Sequence, residues 1–299
     1  HACRRRDVAM DRRAAAPPRR LAAILPTFPV TLWPAALIFL GLFVAPLAWF
    51  LAISLWSVKA RIMRPDLTFK NYLQTFAEYG DVLLWTLLTA GAVALATTLL
   101  AFLFAFAIRF KAGRAGNALL FLTLVTLFGG YLVKIYAWKS ILGREGILNQ
   151  ALLEAGLISQ PLDALIYSTQ GVVLTLTYFL LPFAVLPVYG SLRGIREQTL
   201  EAARDLGAGR WQVVRDVVLP QAERGLVVAF TLAFLIAAGD YVTPRFVGGG
   251  SALMGHFIET QFSVGFNWPL GSAMAFSLMA CSLAVVLGFR QLLRWGLRP

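Results

Sequence analysis

Chemistry needs particular side chains held close together, and this 299-residue sequence offers few of them. Its two cysteines, Cys3 and Cys281, have no metal-ligand spacing and suggest no disulfide framework. The two histidines, His1 and His256, are isolated, and no cluster of histidine, cysteine and carboxylate forms a catalytic constellation. The sequence has no GxxxxGK[ST] phosphate loop and no Gly-Lys pair, so it has no nucleotide-hydrolysing motif of its own. What remains is charge in apolar surroundings, which is costly and often functional. Asp240, followed by Tyr241, lies about 15 residues into a long apolar run, roughly 22 Å along a helix. There it would attract a cationic solute, pair with Arg245, or face water at the mouth of the path. Lys134 stands near the end of another run, with Tyr136 and Trp138 close by. The lysine can snorkel to the interface, and the aromatics suit either an interface belt or a cation cage. Glu259 divides in the same way between solute contact and simple exposure.

The elements that must position these residues are apolar helices. Hydrophobic residues make up 59% of the chain and charged residues only 14%, with a mean hydropathy of +0.71, which places it in the membrane class rather than the soluble one. Six runs are long enough to span a bilayer: 32–56, 82–108, 118–138, 171–192, 225–247 and 268–289. Of the 27 basic residues, 19 fall in the N-terminal tail, the second-to-third and fourth-to-fifth loops, and the C-terminal end. If both termini are cytoplasmic, that is the positive-inside bias, and it accounts for the net charge of +12 without nucleic acid. Residues 1–30 form a basic Arg-, Ala- and Pro-rich tail, expected to be disordered, and the run after it is too long for a signal peptide. Residues 31–295 are expected to form one transmembrane domain. Small residues in the second, third, fifth and sixth runs suit close helix packing. Pro182 and Pro187 should bend the fourth, and Ile147, Leu148, Leu152 and Leu153 recur at the spacing of a short amphipathic helix.

One polar stretch interrupts the apolar pattern. LEAARDLGAGRWQVVRDVVLP runs from Leu200 to Pro220 within the loop 193–222. A helical run should end at Gly207 and Gly209, since glycine takes the conformations that stop helices. A second should start near Arg210, and Pro220 should mark a corner into the fifth span. Helix, turn and helix between two spanning segments make a mechanical lever. Glu201, Arg204 and Asp205 give it directional polar contacts. Trp211 would pack on the loop or touch a partner.

Glu201-Ala202-Ala203, Gly207, Val217, Leu219 and Pro220 resemble the EAA motif of ATP-binding cassette importer permeases, with Val217 where the family pattern has isoleucine. LVKIYAWKSILGREGILNQALLEAGLI and YFLLPFAVLPVYGSL resemble the spermidine/putrescine-type members. The resemblance covers roughly residues 30 to 295. It implies an all-α polytopic membrane protein with the six-span type I importer permease fold, in a bacterial inner membrane. It also implies a coupling helix whose contacts with a cytoplasmic ATPase dimer involve Glu201, Ala202, Ala203, Asp205, Leu206, Gly207, Ala208, Trp211 and Pro220. ATP and magnesium would then bind the ATPase rather than this chain. The other implied partners are a second, non-identical permease, a periplasmic solute-binding protein and membrane lipid. The substrate path would draw on Asp240, Tyr241, Trp138, Tyr136, Lys134 and Glu259, with a polyamine as the first expectation. A stand-alone ion-coupled carrier is the alternative. Such carriers usually show paired repeats with broken helices and buried charges, and no such pair is evident in the sequence.

Overall fold

The computed structural model describes residues 33–59, 62–162, 167–249 and 253–297. The basic tail at 1–30 lies outside the described residues. Two compact units divide the chain between Ala48 and Trp49, within the first helix. That helix, α1 (Trp33–Ser54), carries no charged residue and has a mean hydropathy of 2.5. Its π-helical turn at Leu40–Val44 falls in the first unit, where the rings of Phe39 and Phe43 stack at 5.3 Å.

In the second unit, a small antiparallel ribbon pairs β1 (Ser57–Lys59) with β2 (Ile62–Arg64) and is a minor departure from an all-helical chain. The helices that follow are α2 (Lys70–Phe110), α3 (Ala115–Leu127), α4 (Tyr131–Leu142) and α5 (Ile147–Glu154). After them come α6 (Thr169–Arg193), α7 (Glu197–Asp205), α8 (Arg210–Gly239) and α9 (Val242–Val247). Helices α10 (Met254–Ser263) and α11 (Trp268–Gly296) complete the described fold.

Helix α2 has 41 residues, about 60 Å at helical rise, and begins well before the expected start at 82. Asn71 explains the early start. Its buried amide donates to the carbonyls of Ser54 and Trp56 at 2.8 and 2.7 Å, and Tyr72 meets the Ser54 hydroxyl at 2.8 Å. The two Asn71 bonds satisfy the carbonyls of Ser54, at the end of α1, and of Trp56 just beyond it, which have no partner within the helix.

The core lies among α2, α6, α8 and α11. One cluster joins Leu83, Val93, Leu176, Phe234 and Met274. A second, nearer the C-terminal end of α2, joins Ala101, Ala105, Val188, Leu192 and Leu226. Alanine and glycine let these helices approach closely. At Gly225 an added Cβ would lie 2.5 Å from the Pro187 carbonyl oxygen, so α8 rests against the backbone of α6. Helix α6 continues through Pro182 and Pro187, and Ser168 caps its start by accepting from the Gly171 amide.

Two expected spans are interrupted. The run at 118–138 crosses a bend of 101° between α3 and the α4–α5 segment, at Gly129-Gly130. Gly130 is extended, with ψ at 137°, and has no side chain to hinder the turn. Among the described residues, five helices are therefore long and apolar enough to cross a membrane by themselves, and there are six if the bent pair is counted as one span. The run at 225–247 breaks at Asp240, whose extended backbone ends α8 before α9 begins. The amphipathic helix in the third-to-fourth loop is α5. Its Asn149 is buried, donating to the Gly143 carbonyl and accepting from the Leu162 amide.

Candidate functional site

The loop between α6 and α8 is built from a helix, a left-handed glycine and a second helix. Arg196 precedes α7 in an extended conformation. Glu197 in the first turn and Arg204 in the last suit the helix dipole. At the C-terminus the Ala208 amide donates to the Ala203 carbonyl at 3.0 Å, and the Gly207 amide to that of Arg204 at 2.9 Å. This is a Schellman closure, which requires a left-handed residue, and Gly207 supplies it with φ of +87°. The helix thus spans Glu197–Asp205 and starts before Leu200, with Thr199 inside it.

Leu200 is the one residue of α7 that is buried, joining a cluster with Ile195, Val213 and Val218. Glu201, Ala202, Asp205 and Gly207 are exposed, as is Leu206 at 89%. Ala203 and Ala208 are half-buried. Trp211 is 73% exposed rather than packed on the loop.

Pro220 does not make a corner. Helix α8 runs from Arg210 to Gly239, with a π-helical turn at Val213–Val218 just before the proline. Proline removes an amide donor and crowds the preceding turn. The wider turn accommodates this, and the Leu219 amide reaches back to the Val214 carbonyl.

Sequence reasoning missed the contacts that Arg109 makes. In the last turn of α2, its guanidinium lies 3.4 Å from the Glu197 carboxylate and 3.5 Å from the Ile195 carbonyl, and 5.2 Å from the Phe110 ring centroid. Its place among the positive-inside charges was the only sequence signal.

The second group of candidates surrounds the break at Asp240. The carboxylate is buried. Its Oδ1 accepts from the Tyr131 hydroxyl at 2.7 Å and from the Val242 amide at 3.0 Å. The Thr243 amide donates to Oδ2 at 3.3 Å. Thr243 and Tyr131 hydroxyls lie 2.9 Å apart. Since the tyrosine proton is directed at Asp240, the threonine donates to the phenol oxygen. No ion pair joins Asp240 to Arg245 among the described residues.

Lys134 spans the glycine bend, donating to the Thr126 carbonyl while its ammonium lies 5.2 Å from the Phe179 ring centroid. Tyr136 packs on Phe246 and Trp138 on Tyr178, each with ring centroids 5.3 Å apart. These contacts hold α4 against α9 and α6. Tyr136 and Tyr241 remain 51% and 40% exposed. Glu259 is half-buried on α10, and no ion pair joins it to another of these candidates. The structure thus gathers Lys134, Tyr136, Trp138 and Asp240 around the α4–α9 contact. Tyr131 and Thr243, which the sequence did not single out, complete that group.

The family described as binding-protein-dependent transport system inner membrane component matches residues 19–295. The chain belongs to this family. It is 34% identical over 215 residues to the spermidine/putrescine transport system permease protein PotB of Haemophilus influenzae, spanning 71% of this chain and 74% of that one. It is 32% identical over 238 residues to PotB of Escherichia coli K12, spanning 79% and 84%. The fold matches a bacterial ABC transporter that imports the acidic polysaccharide alginate, with a TM-score of 0.67 at 16% identity, covering 88% of this chain and 93% of that one. The chain is therefore a permease subunit of an ABC importer, a multi-pass component of an inner-membrane transport system with the importer-permease fold.

Proposed function

We propose that this permease forms half of a polyamine-importing path and couples it, through α7, to ATP hydrolysis on a partner. The observation that carries the coupling is the presentation of α7. Leu200 anchors it to the bundle, while Glu201, Ala202, Asp205, Leu206 and Gly207 face outward. A short helix held this way transmits a push without burying its own contact face. The ATPase dimer binds ATP and magnesium and seats α7 together with the adjoining Ala203, Ala208 and Trp211. Pro220 sets the π-helical turn just before it, at Val213–Val218. The positive-inside bias supports placing this loop and both termini in the cytoplasm. A periplasmic binding protein delivers solute to the opposite face, and a second, non-identical permease completes the path.

The substrate reading is supported by the two PotB relatives, whose names give spermidine and putrescine as their transported solutes. In this reading Tyr136, Trp138, Tyr241 and Glu259 line the cation's route, with Lys134 bracing its wall. Asp240 contributes negative potential rather than direct contact, since its oxygens already accept protein hydrogen bonds.

The test is co-purification of the ATPase and uptake of labelled spermidine into proteoliposomes containing the assembled transporter and loaded binding protein. Glu201→Lys and Gly207→Pro are expected to leave the permease pair folded while abolishing uptake and releasing the ATPase. Normal uptake and co-purification in both variants would refute the coupling role. A transporter that couples normally but takes up no spermidine would refute the substrate assignment alone.

A further inference from the structure

Beside α7 lies an open cleft of about 950 Å³, between the last turns of α2 and the start of α8, and Glu201, Ala208 and Trp211 of the proposed coupling face also line it. Its walls include Phe106, Phe110 and Val214. Four cations, Arg109, Lys111, Arg204 and Arg210, border it against two carboxylates, Glu197 and Glu201. Arg109 is engaged with Glu197. Lys111, Arg204 and Arg210 make no ion pair among the described residues, so the free charge of the cleft is predominantly positive. We propose that this cleft holds an anionic phospholipid, with its phosphate at Lys111, Arg204 and Arg210 and its acyl chains along the aromatic wall. The proposal rests on the cytoplasmic placement of the loop given above.

Two physical arguments favour this occupant. The phenylalanines belong to the end of an apolar spanning helix and the cations to the loops beside it, so the cleft offers an apolar wall and a basic rim. Basic pockets of this kind on the cytoplasmic side of membrane proteins take acidic lipid headgroups. The volume also lies within the range of ordinary ligand pockets. The second argument is mechanical. Leu200 is the one buried residue of α7 and the Arg109–Glu197 pair ties the helix to α2, so beside those two holds a push on α7 toward α2 meets the open cleft. Close-packed interiors transmit strain, whereas unfilled space lets a pushed element yield. A bound lipid would back α7 and make anionic lipid a requirement for efficient coupling.

The test uses the assembled transporter with its ATPase, in vesicles of phosphatidylcholine alone, of phosphatidylcholine and phosphatidylglycerol in equal parts, and of phosphatidylcholine with added inorganic phosphate. Lipid retained by the permease pair is read by native mass spectrometry, and coupling by binding-protein-stimulated ATP hydrolysis. Wild-type protein should retain phosphatidylglycerol in preference to phosphatidylcholine and hydrolyse ATP several-fold faster in its presence, with no effect of free phosphate. The combined Lys111→Gln, Arg204→Gln and Arg210→Gln variant should retain it about 100-fold more weakly, at the energy typical of three basic residues near an acidic membrane surface. The pair Arg204→Lys and Arg210→Lys should retain it normally, which separates loss of charge from misfolding. Undiminished retention in the glutamine variant would overturn the proposal, as would free phosphate replacing the lipid. Protection of the three side chains by the ATPase, with no lipid bound, would give the cleft to the ATPase instead. Release of the ATPase by Gly207→Pro reports on the coupling reading alone, because retention is scored on the permease pair.

Discussion

Replacing Tyr131 with phenylalanine removes one hydroxyl from the cluster that joins α4 to the break between α8 and α9. The Asp240 carboxylate is buried and accepts from that hydroxyl at 2.7 Å. Hydrogen bonds to charged groups contribute about 1.5–3 kcal/mol in soluble proteins. In membrane bundles, pairwise values average about 0.6 and reach about 1.7 kcal/mol, because groups in the unfolded state also find partners. A short bond to a buried charge belongs at the upper end, so the Tyr131–Asp240 coupling is expected to be about 1.5 kcal/mol. Tyr131→Phe and Asp240→Asn should each destabilise the permease by about 2 kcal/mol, and the double variant by about 1.5 kcal/mol less than the sum. The measurement is a double-mutant cycle on the purified permease pair, unfolded by dodecyl sulfate in mixed micelles and followed by helicity. Uptake measured in parallel separates positioning from solute contact. If Asp240 holds α4 against α9, maximal uptake falls while the half-saturating solute concentration stays within about threefold. Additive single effects would refute the hydrogen-bonded latch. A large rise in half-saturation at unchanged stability would return Asp240 to direct solute contact.

Three further outcomes follow from close approach, backbone conformation and buried amides. Gly225→Ala brings a methyl carbon to 2.5 Å from both the Pro187 carbonyl and the Ser191 hydroxyl. It should force α8 from α6 at a cost of about 1–3 kcal/mol, visible as a lower midpoint in the same unfolding assay. At Gly207 an added Cβ meets nothing within 4 Å, so Gly207→Ala is expected to cost only about 1–2 kcal/mol of left-handed backbone strain. Its effect should therefore appear in stimulated ATP hydrolysis more than in expression. Asn71→Ala removes both donors to the end of α1 and should cost about 1–3 kcal/mol. Faster amide exchange in the paired strands Ser57–Lys59 and Ile62–Arg64 is the observation that checks it.

The sequence made the long apolar helices readable because a run such as 268–289 needs only its composition to declare itself, and α11 contains it. Gly207 was equally readable, since a left-handed closure leaves a direct mark on residue choice. The bend at Gly129-Gly130 was not. Hydropathy averages over a window, and two glycines lower that average too little to divide a run whose flanks are both apolar. Asp240 was recognised as unusual, but its principal partner is Tyr131, 109 residues away, and no local pattern records such a pairing. The misjudged corner at Pro220 has a different origin. The rule that proline stops a helix assumes a fixed hydrogen-bond register, whereas here the preceding turn widens and the axis continues.

That continuity bears on how the two candidate regions communicate. Helix α8 has 30 residues, about 45 Å at helical rise, with the loop that carries α7 at one end and the Asp240 cluster at the other. Its first part is held through Val213, Val218 and Leu226, which share a buried cluster with Leu200 of α7. Arg109 ties the start of α7 to α2, and Arg294 of α11 meets Glu223 of α8 at 2.9 Å. A displacement of α7 therefore loads α2, α8 and α11 together. A corner at Pro220 would have absorbed part of that displacement, whereas a continuous helix carries it to Gly239. There the load meets a backbone break rather than a rigid end, because the Asp240 carboxylate joins the adjoining turn to Tyr131 on α4. The π-helical turn beside α7 and the hydrogen-bonded break at Asp240 are thus the compliant places of an otherwise continuous strut, and movement should concentrate at the second.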